Sequence, residues 1–286
     1  MKTHFLAIRF MVISTLLFTI MNTMVKYLVD FGTFQLVFFR SLGSLFFTFS
    51  FLIQQKIPLW GNQKRLLVFR GFAGVTSMIL FFFSLHYMSV GAAVTLRYTS
   101  PIFVALLAVF LLKEKIKPLQ WIFFILAFIG VLMVKGFDPT VDFYGFTIIL
   151  ICAFFSAIVY LLISKIGKGD HPVVIVHYFM LIATLVGAIG CFYDWKTPVG
   201  IEWALLLSLG FVGFLAQIFM TKALQIGPAF QIAPFKYVEV VFSLLFGLLF
   251  FQELYNFYSL VGVFLIILGL ALNLIYKSKE KQTSKK

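Results

Sequence analysis

The feature that most constrains this chain is an internal repeat. Shifting residues 5 to 140 by 139 positions places Lys26 on Lys165, Gly71 on Gly210, Gly74 on Gly213 and Arg97 on Lys236. The same ungapped shift places Tyr98 on Tyr237, Glu114 on Glu253 and Gly130 on Gly269. A duplication of this length in a very apolar chain is a common construction of membrane carriers, whose halves move about a site between them.

Composition identifies the solvent. Hydrophobic residues make up 62% of the chain and charged residues 12%, with a mean hydropathy of +1.05; soluble domains run near one half and one quarter. Runs of about 20 apolar residues cross a bilayer as helices. Ten are present, near 5–28, 33–53, 65–85, 90–112, 118–134, 143–164, 172–193, 201–222, 229–251 and 256–276. The expected fold class is all-α integral membrane, with ten transmembrane helices as two inverted five-helix repeats. The units are 1–140 and 141–276, followed by a basic tail, 277–286. Inversion follows from the odd helix count, which turns the second copy upside down relative to the first. The connections are short and carry stops such as Pro58, Pro118, Asp138-Pro139 and Gly227-Pro228. The first run lacks a small-residue cleavage site and is long enough to span, so it reads as a retained helix.

Short loops rich in Lys and Arg favour the cytoplasmic side. With the N-terminus inside, cytoplasmic segments hold 16 Lys and Arg residues and the opposite face 3, so both termini are expected to be cytoplasmic in an inner or plasma membrane. The net charge of +13 is then mainly topological, with the tail against anionic membrane lipids. Nucleic acid is not an expected partner. Cys152 and Cys191 lie in apolar spans and read as small packing residues. The four histidines lack metal-ligand spacing, and there is no HExxH, GxSxG or P-loop pattern. Neither an enzyme nor a metal or cofactor site is expected.

The stretch Gly91 to Gly136 combines a small-residue helix start, Pro101 within the span, a Leu-rich end, Glu114 before the next helix and Gly130 near its end. The second copy, from Phe230 through Glu253 to Gly269, keeps the glutamate, the tyrosine and the late glycine. It departs at Val240, where the first copy has Pro101, while Pro234 stands earlier. Over the whole length this resembles the EamA-like branch of the drug/metabolite transporter superfamily. The resemblance implies ten helices, cytoplasmic termini and, in many members, export of amino acids or other small metabolites.

Five ionisable groups fall well inside spans: Arg40, Arg70, Arg97, Lys236 and Glu239. A mid-bilayer charge costs roughly 2.5–3.5 kcal/mol on insertion scales and faces the bundle interior or a wet cavity. Arg97 and Lys236 should sit at mirrored depths and could hold a carboxylate or phosphate, with Tyr98 and Tyr237 supplying a hydroxyl and a ring face beside each. Arg40 is a further substrate-binding candidate, divided between lining the site and reaching the interface; Arg70 reads as snorkelling. Glu239 is the coupling candidate if protons are co-substrates, set against a static pairing with Lys236 three residues away. That pairing would leave Arg97 the less compensated charge. Glu114 and Glu253 read as structural, favouring the starts of helices five and ten. Pro101 and Pro234 are hinge candidates. The repeated pairs Gly71 with Gly74 and Gly210 with Gly213 read as close helix contacts. Asn22, Ser77, Thr95, Ser100, Ser156, His177 and Gln217 are polar residues that could line the pathway.

The sequence therefore predicts a secondary active or facilitative transporter of a small anionic or zwitterionic metabolite, working by alternating access, with export as the family-based direction. The alternative is a flippase or carrier of an amphipathic lipid-linked phosphate. A closed central cavity favours the first and an open lateral groove the second.

Overall fold

Helix ends fall at glycine, at proline and at capping side chains such as Ser89 and Asp142. The computed structural model describes residues 2–100, 102–103, 106–107, 118–137, 141–193, 195–226 and 233–283. These form α1 (Lys2–Tyr27), α2 (Thr33–Gln54), α3 (Lys64–Ser84), α4 (Val90–Arg97) and α5 (Pro118–Phe137). The second half supplies α6 (Phe143–Ile166), α7 (Pro172–Cys191), α8 (Ile201–Ile226), α9 (Val238–Phe251) and α10 (Phe257–Thr283), with a 3-10 turn at Ala233–Tyr237 leading into α9. Among the described residues six helices are long and apolar enough to cross a membrane, and Pro118–Val134 and Phe257–Asn273 are shorter apolar stretches. Their outward faces carry large apolar side chains such as Phe46, Phe69 and Leu249, suited to lipid.

Two expected spans differ from the continuous helices read from the sequence. In the fourth, α4 ends at Arg97 and the chain turns at Tyr98 and Thr99. Helix is regained at Ser100; Pro101 lies outside the described residues, but it carries no N–H for the Arg97 carbonyl. In the ninth, Pro234 sits in the 3-10 turn and regular helix resumes only at Val238. α10 also continues beyond the expected end at 276 to Thr283, through Lys, Glu and Gln, which favour helix, and with no glycine or proline to stop it.

Helices of one half lie along helices of the other: α5 with α10, α2 with α7, α1 with α8 and α3 with α6. α2 also meets α8, α3 meets α7, α1 meets α9 and α4 meets α6. Exchanging each helix with the one five places later maps these pairs onto one another.

Residue contacts repeat in the same way. A Cβ on Gly130 would lie 2.5 Å from the Gly262 carbonyl oxygen and 2.8 Å from the Ile266 nitrogen; one on Gly269 would lie 2.6 Å from the Phe123 carbonyl oxygen and 2.9 Å from the Ala127 nitrogen. Every residue in the second contact is offset by 139 positions from one in the first. The order of partners makes α5 and α10 antiparallel. α2 and α7 are antiparallel too, with Thr48 bonding His177 and Phe38 meeting Gly187. The glycine pairs lie at such crossings: Gly71 and Gly74 face Ile182 and Phe179 of α7, whereas Gly210 and Gly213 face Gly43 and Arg40 of α2.

The bundle is fastened at both ends. Near the start of α1, Asp170 accepts the backbone N–H groups of Asn62 (2.5 Å) and Gln63 (3.0 Å). At the other end Lys26 donates to the carbonyls of Leu85 and Met88, and Gln35 exchanges two hydrogen bonds with the Lys196 backbone. Glu253 accepts the Val90 N–H at 3.1 Å and the Tyr255 hydroxyl at 2.5 Å. It therefore caps α4 of the first half rather than the tenth helix, because the left-handed Gln252 turns the chain back toward α4. Glu114 lies outside the described residues. α10 begins beside this cap and runs 27 residues back, so its end shares an end of the bundle with the start of α1.

Gly130→Val should disrupt the α5–α10 crossing, because backbone rather than flexible side chain opposes the added atoms. A lowered melting temperature of the purified protein in detergent is expected, with little change for the lipid-facing control Leu249→Ala.

Candidate functional site

The two interrupted helices bring their ends together. Arg97 finishes α4 and Tyr98 follows; Lys236 and Tyr237 finish the 3-10 turn before α9. The Tyr98 and Tyr237 rings meet edge-on at 5.4 Å. Beside them is a cavity of about 140 Å³, walled from both halves of the chain.

All four cations predicted inside spans line this cavity: Arg40, Arg70, Arg97 and Lys236. Glu239 is the only carboxylate among the described residues that line it. The carboxylate is fully buried, and Arg97 Nη2 donates to its Oε1 at 2.9 Å. Tyr98 donates its hydroxyl to Oε2 at 2.5 Å, and Asn22 Nδ2 lies 3.3 Å from Oε1. Arg97 also lies 4.0 Å from the centre of the Phe81 ring.

The expected Lys236–Glu239 pairing is therefore replaced. Glu239 pairs with Arg97 across the two halves, and Lys236 donates to the Tyr160 hydroxyl at 2.8 Å. The two side chains still line the same cavity, but each has a partner on another helix: Arg97 at the end of α4 for Glu239 and Tyr160 of α6 for Lys236. Lys236 Nζ also lies 5.0 Å from the Tyr160 ring centre and 5.6 Å from that of Tyr98.

Arg70 does not snorkel. It is 4% exposed and faces the cavity, with its guanidinium carbon 4.5 Å from the centre of the Phe179 ring. Arg40 is equally buried, approaches the same ring at 5.8 Å and has the thioether sulfurs of Met21 and Met78 as polar neighbours.

Tyr98 and Tyr237 stand behind the cavity wall rather than on it. Ser77, Ser156 and Gln217 line the wall, with the two hydroxyls 2.7 Å apart. Asn22 reaches the site through Glu239, whereas His177 bonds Thr48, and Thr95 and Ser100 lie off the wall. Pro234 belongs to the turn that presents Lys236, and Pro101 is outside the described residues.

Tyr160 and Phe179 are two site residues missed from the sequence. Phe179 could have been found by the repeat shift, which places it on Arg40, whereas Tyr160 falls on Met21, which carries no such signal.

The family model for the EamA-like transporter family matches this chain twice, over residues 5–136 and 143–275. The chain belongs to the EamA-like transporter family. Its relatives are transporters of the drug/metabolite superfamily, not enzymes. The pseudopaline exporter of Pseudomonas aeruginosa is 28% identical over 90% of this chain and 92% of its own length. The S-adenosylmethionine uptake transporter of Rickettsia prowazekii is 28% identical over 100% of this chain and 97% of its own length. Human solute carrier family 35 member G1 is 25% identical, covering 96% of this chain and 81% of its own. A solved crystal structure shares the fold with a TM-score of 0.65 at 17% identity, over 97% of both chains. The cavity described here thus belongs to a multi-pass membrane transporter.

Arg97→Ala would leave Glu239 charged and fully buried without its ion-pair partner, a loss that costs roughly 3–5 kcal/mol in buried pairs. Unfolding measurements should show strong destabilisation of this variant. Adding Glu239→Gln should recover part of the loss, a non-additivity that reports direct contact.

Proposed function

We propose that the chain is a secondary transporter of a small anionic or zwitterionic metabolite, bound in the central cavity and exposed alternately to the two sides of the membrane. The observation carrying this reading is the charge balance of the wall: four basic side chains face one carboxylate. With Glu239 committed to Arg97, Lys236 and the two buried arginines remain to attract a negative group.

Size favours a metabolite over a lipid-linked phosphate. A cavity of about 140 Å³ is close to the 150 Å³ site that accommodates benzene in an engineered protein, and it is walled by helices from both halves.

The antiparallel α2–α7 and α5–α10 pairs, with their repeated contacts, support two inverted five-helix units, about 1–140 and 141–276. Two such units can exchange conformations, and that exchange is the basis of alternating access. In the state described, the wall reaches toward the end carrying both termini, through Arg70 near the start of α3 and Ile163 near the end of α6. Lys26 ties α1 to the carbonyls after α3 at the opposite end. The excess of Lys and Arg in the loops at the first end supports cytoplasmic termini in an inner or plasma membrane. Pro101 and Pro234 are the natural pivots, because each removes a backbone donor beside the site.

Three donors on Glu239 favour a positioning role over proton transfer. The relatives are named for both export and uptake, so direction here is assigned to the gradient, with export the physiological expectation.

Counterflow in liposomes with labelled anionic, zwitterionic and cationic metabolites tests this reading. Saturable exchange of an anionic or zwitterionic compound is expected, and Lys236→Ala should reduce it at least tenfold without loss of folded protein. Absence of exchange from every panel by folded protein would overturn the assignment. Glu239→Gln should leave any pH-gradient dependence of exchange unchanged; abolition would make it the coupling residue.

A further inference from the structure

Arg40 and Arg70 form a feature that a single anionic group at Lys236 does not use. Both are 4% exposed, and both direct their guanidinium groups at the cavity and the Phe179 ring. A guanidinium has five N–H donors in a fixed fork, suited to two oxygens of a carboxylate or phosphate. Here those donors are poorly met. Arg70 Nε and Nη1 are buried with no hydrogen-bond partner among the described residues, and Arg40 has only thioether sulfurs, which are weak acceptors. A structural arginine inside a membrane protein would instead be held by carboxylates or carbonyls.

The repeat sharpens the point. Arg97 and Lys236 are counterparts, so each half contributes one cation. Arg40 and Arg70 have no basic counterparts: the shift places them on Phe179 and Leu209. The additional positive charge is confined to the first half and gathered around a ring supplied by the second. The repeated glycines lie against the neighbours of these arginines: a Cβ on Gly74 would sit 3.0 Å from Phe179 Cδ2 and one on Gly213 would sit 3.2 Å from the Met21 sulfur.

We infer that Arg40 and Arg70 constitute a second anion subsite, and that the substrate is a compact molecule with two acidic groups, one held at Lys236 and the other between these arginines. This rests on the carrier reading above and narrows its substrate class. The shared chemistry is a pair of oxyanions on a short backbone, either two carboxylates or a carboxylate with a phosphate. The cavity volume of about 140 Å³ suits a backbone of a few carbons.

The test compares matched probes on the purified full chain. Succinate and glutarate represent dicarboxylates, phosphoglycolate the mixed acid, butyrate the single acid and alanine the zwitterion. Each is assayed by its shift of the melting temperature in detergent and by its competition in liposome counterflow. At least one two-acid probe should bind about tenfold more tightly than butyrate or alanine, the scale of added charge-assisted hydrogen bonds. Comparing succinate and glutarate with phosphoglycolate identifies the second acid. Arg40→Gln and Arg70→Gln should each bring the affinity of the preferred probe down toward that of the single acid. Arg40→Lys and Arg70→Lys should retain part of the preference.

Equal affinity for one-acid and two-acid probes on the wild-type chain would overturn the second subsite and leave the carrier reading intact. Unchanged two-acid preference in both glutamine variants would also overturn it. Failure of every acid to bind or exchange would overturn the carrier reading as well. The wild-type comparison decides the matter even if a glutamine variant does not fold.

Discussion

The Arg97–Glu239 ion pair joins the two halves where their helices are interrupted. Arg97 lies at the end of α4 and Glu239 in the first turn of α9, and the 2.9 Å bond between them is reinforced from Tyr98 and from Asn22 of α1. An uncompensated carboxylate at this depth would be costly, so the second half depends on donors from the first. The pair also fixes which cations remain available. It neutralises Arg97 and leaves Lys236, held by Tyr160, beside the two arginines around Phe179.

Around that pair, close helix crossings provide rigidity. Lipid offers no hydrophobic drive for helices to associate, so contact depends on small residues and shape. Gly43 against Gly210 and Gly130 against Gly262 bring backbones together where a β-carbon would collide. Hydrogen-bonded fastenings at the two ends use different residues, Asp170 at one and Lys26 with Gln35 at the other.

Much of the fold was legible in advance because a bilayer leaves few options. Eight of the ten expected spans coincide with helices to within a few residues at most ends, and the repeat anticipated the glycine crossings. The two exceptions carry the site. A hydropathy run records that residues are apolar, but it does not record that the backbone leaves regular helix at Tyr98 and around Pro234, beside a charge. Lys236 and Glu239 do face one cavity, but Arg97 and Tyr160 on other helices take up their hydrogen bonds, which spacing along one helix does not show. Arg70 was misread for a related reason. Its six-residue distance from the start of α3 allows a reach to the interface, and only the position of α7 shows that the side facing it is interior.

The sequence alone determined the solvent, the helix count, the duplication and the identity of the buried charges, because transfer into hydrocarbon penalises every exposed polar group and leaves a strong linear pattern. Tertiary structure decided how those charges are matched. Pairing depends on directions in space between helices distant in the chain, such as the residues that bring Phe179 against both Arg40 and Arg70. Which cation is neutralised and which faces the cavity is set by that packing, since a helix face acquires a neighbour only when the bundle closes.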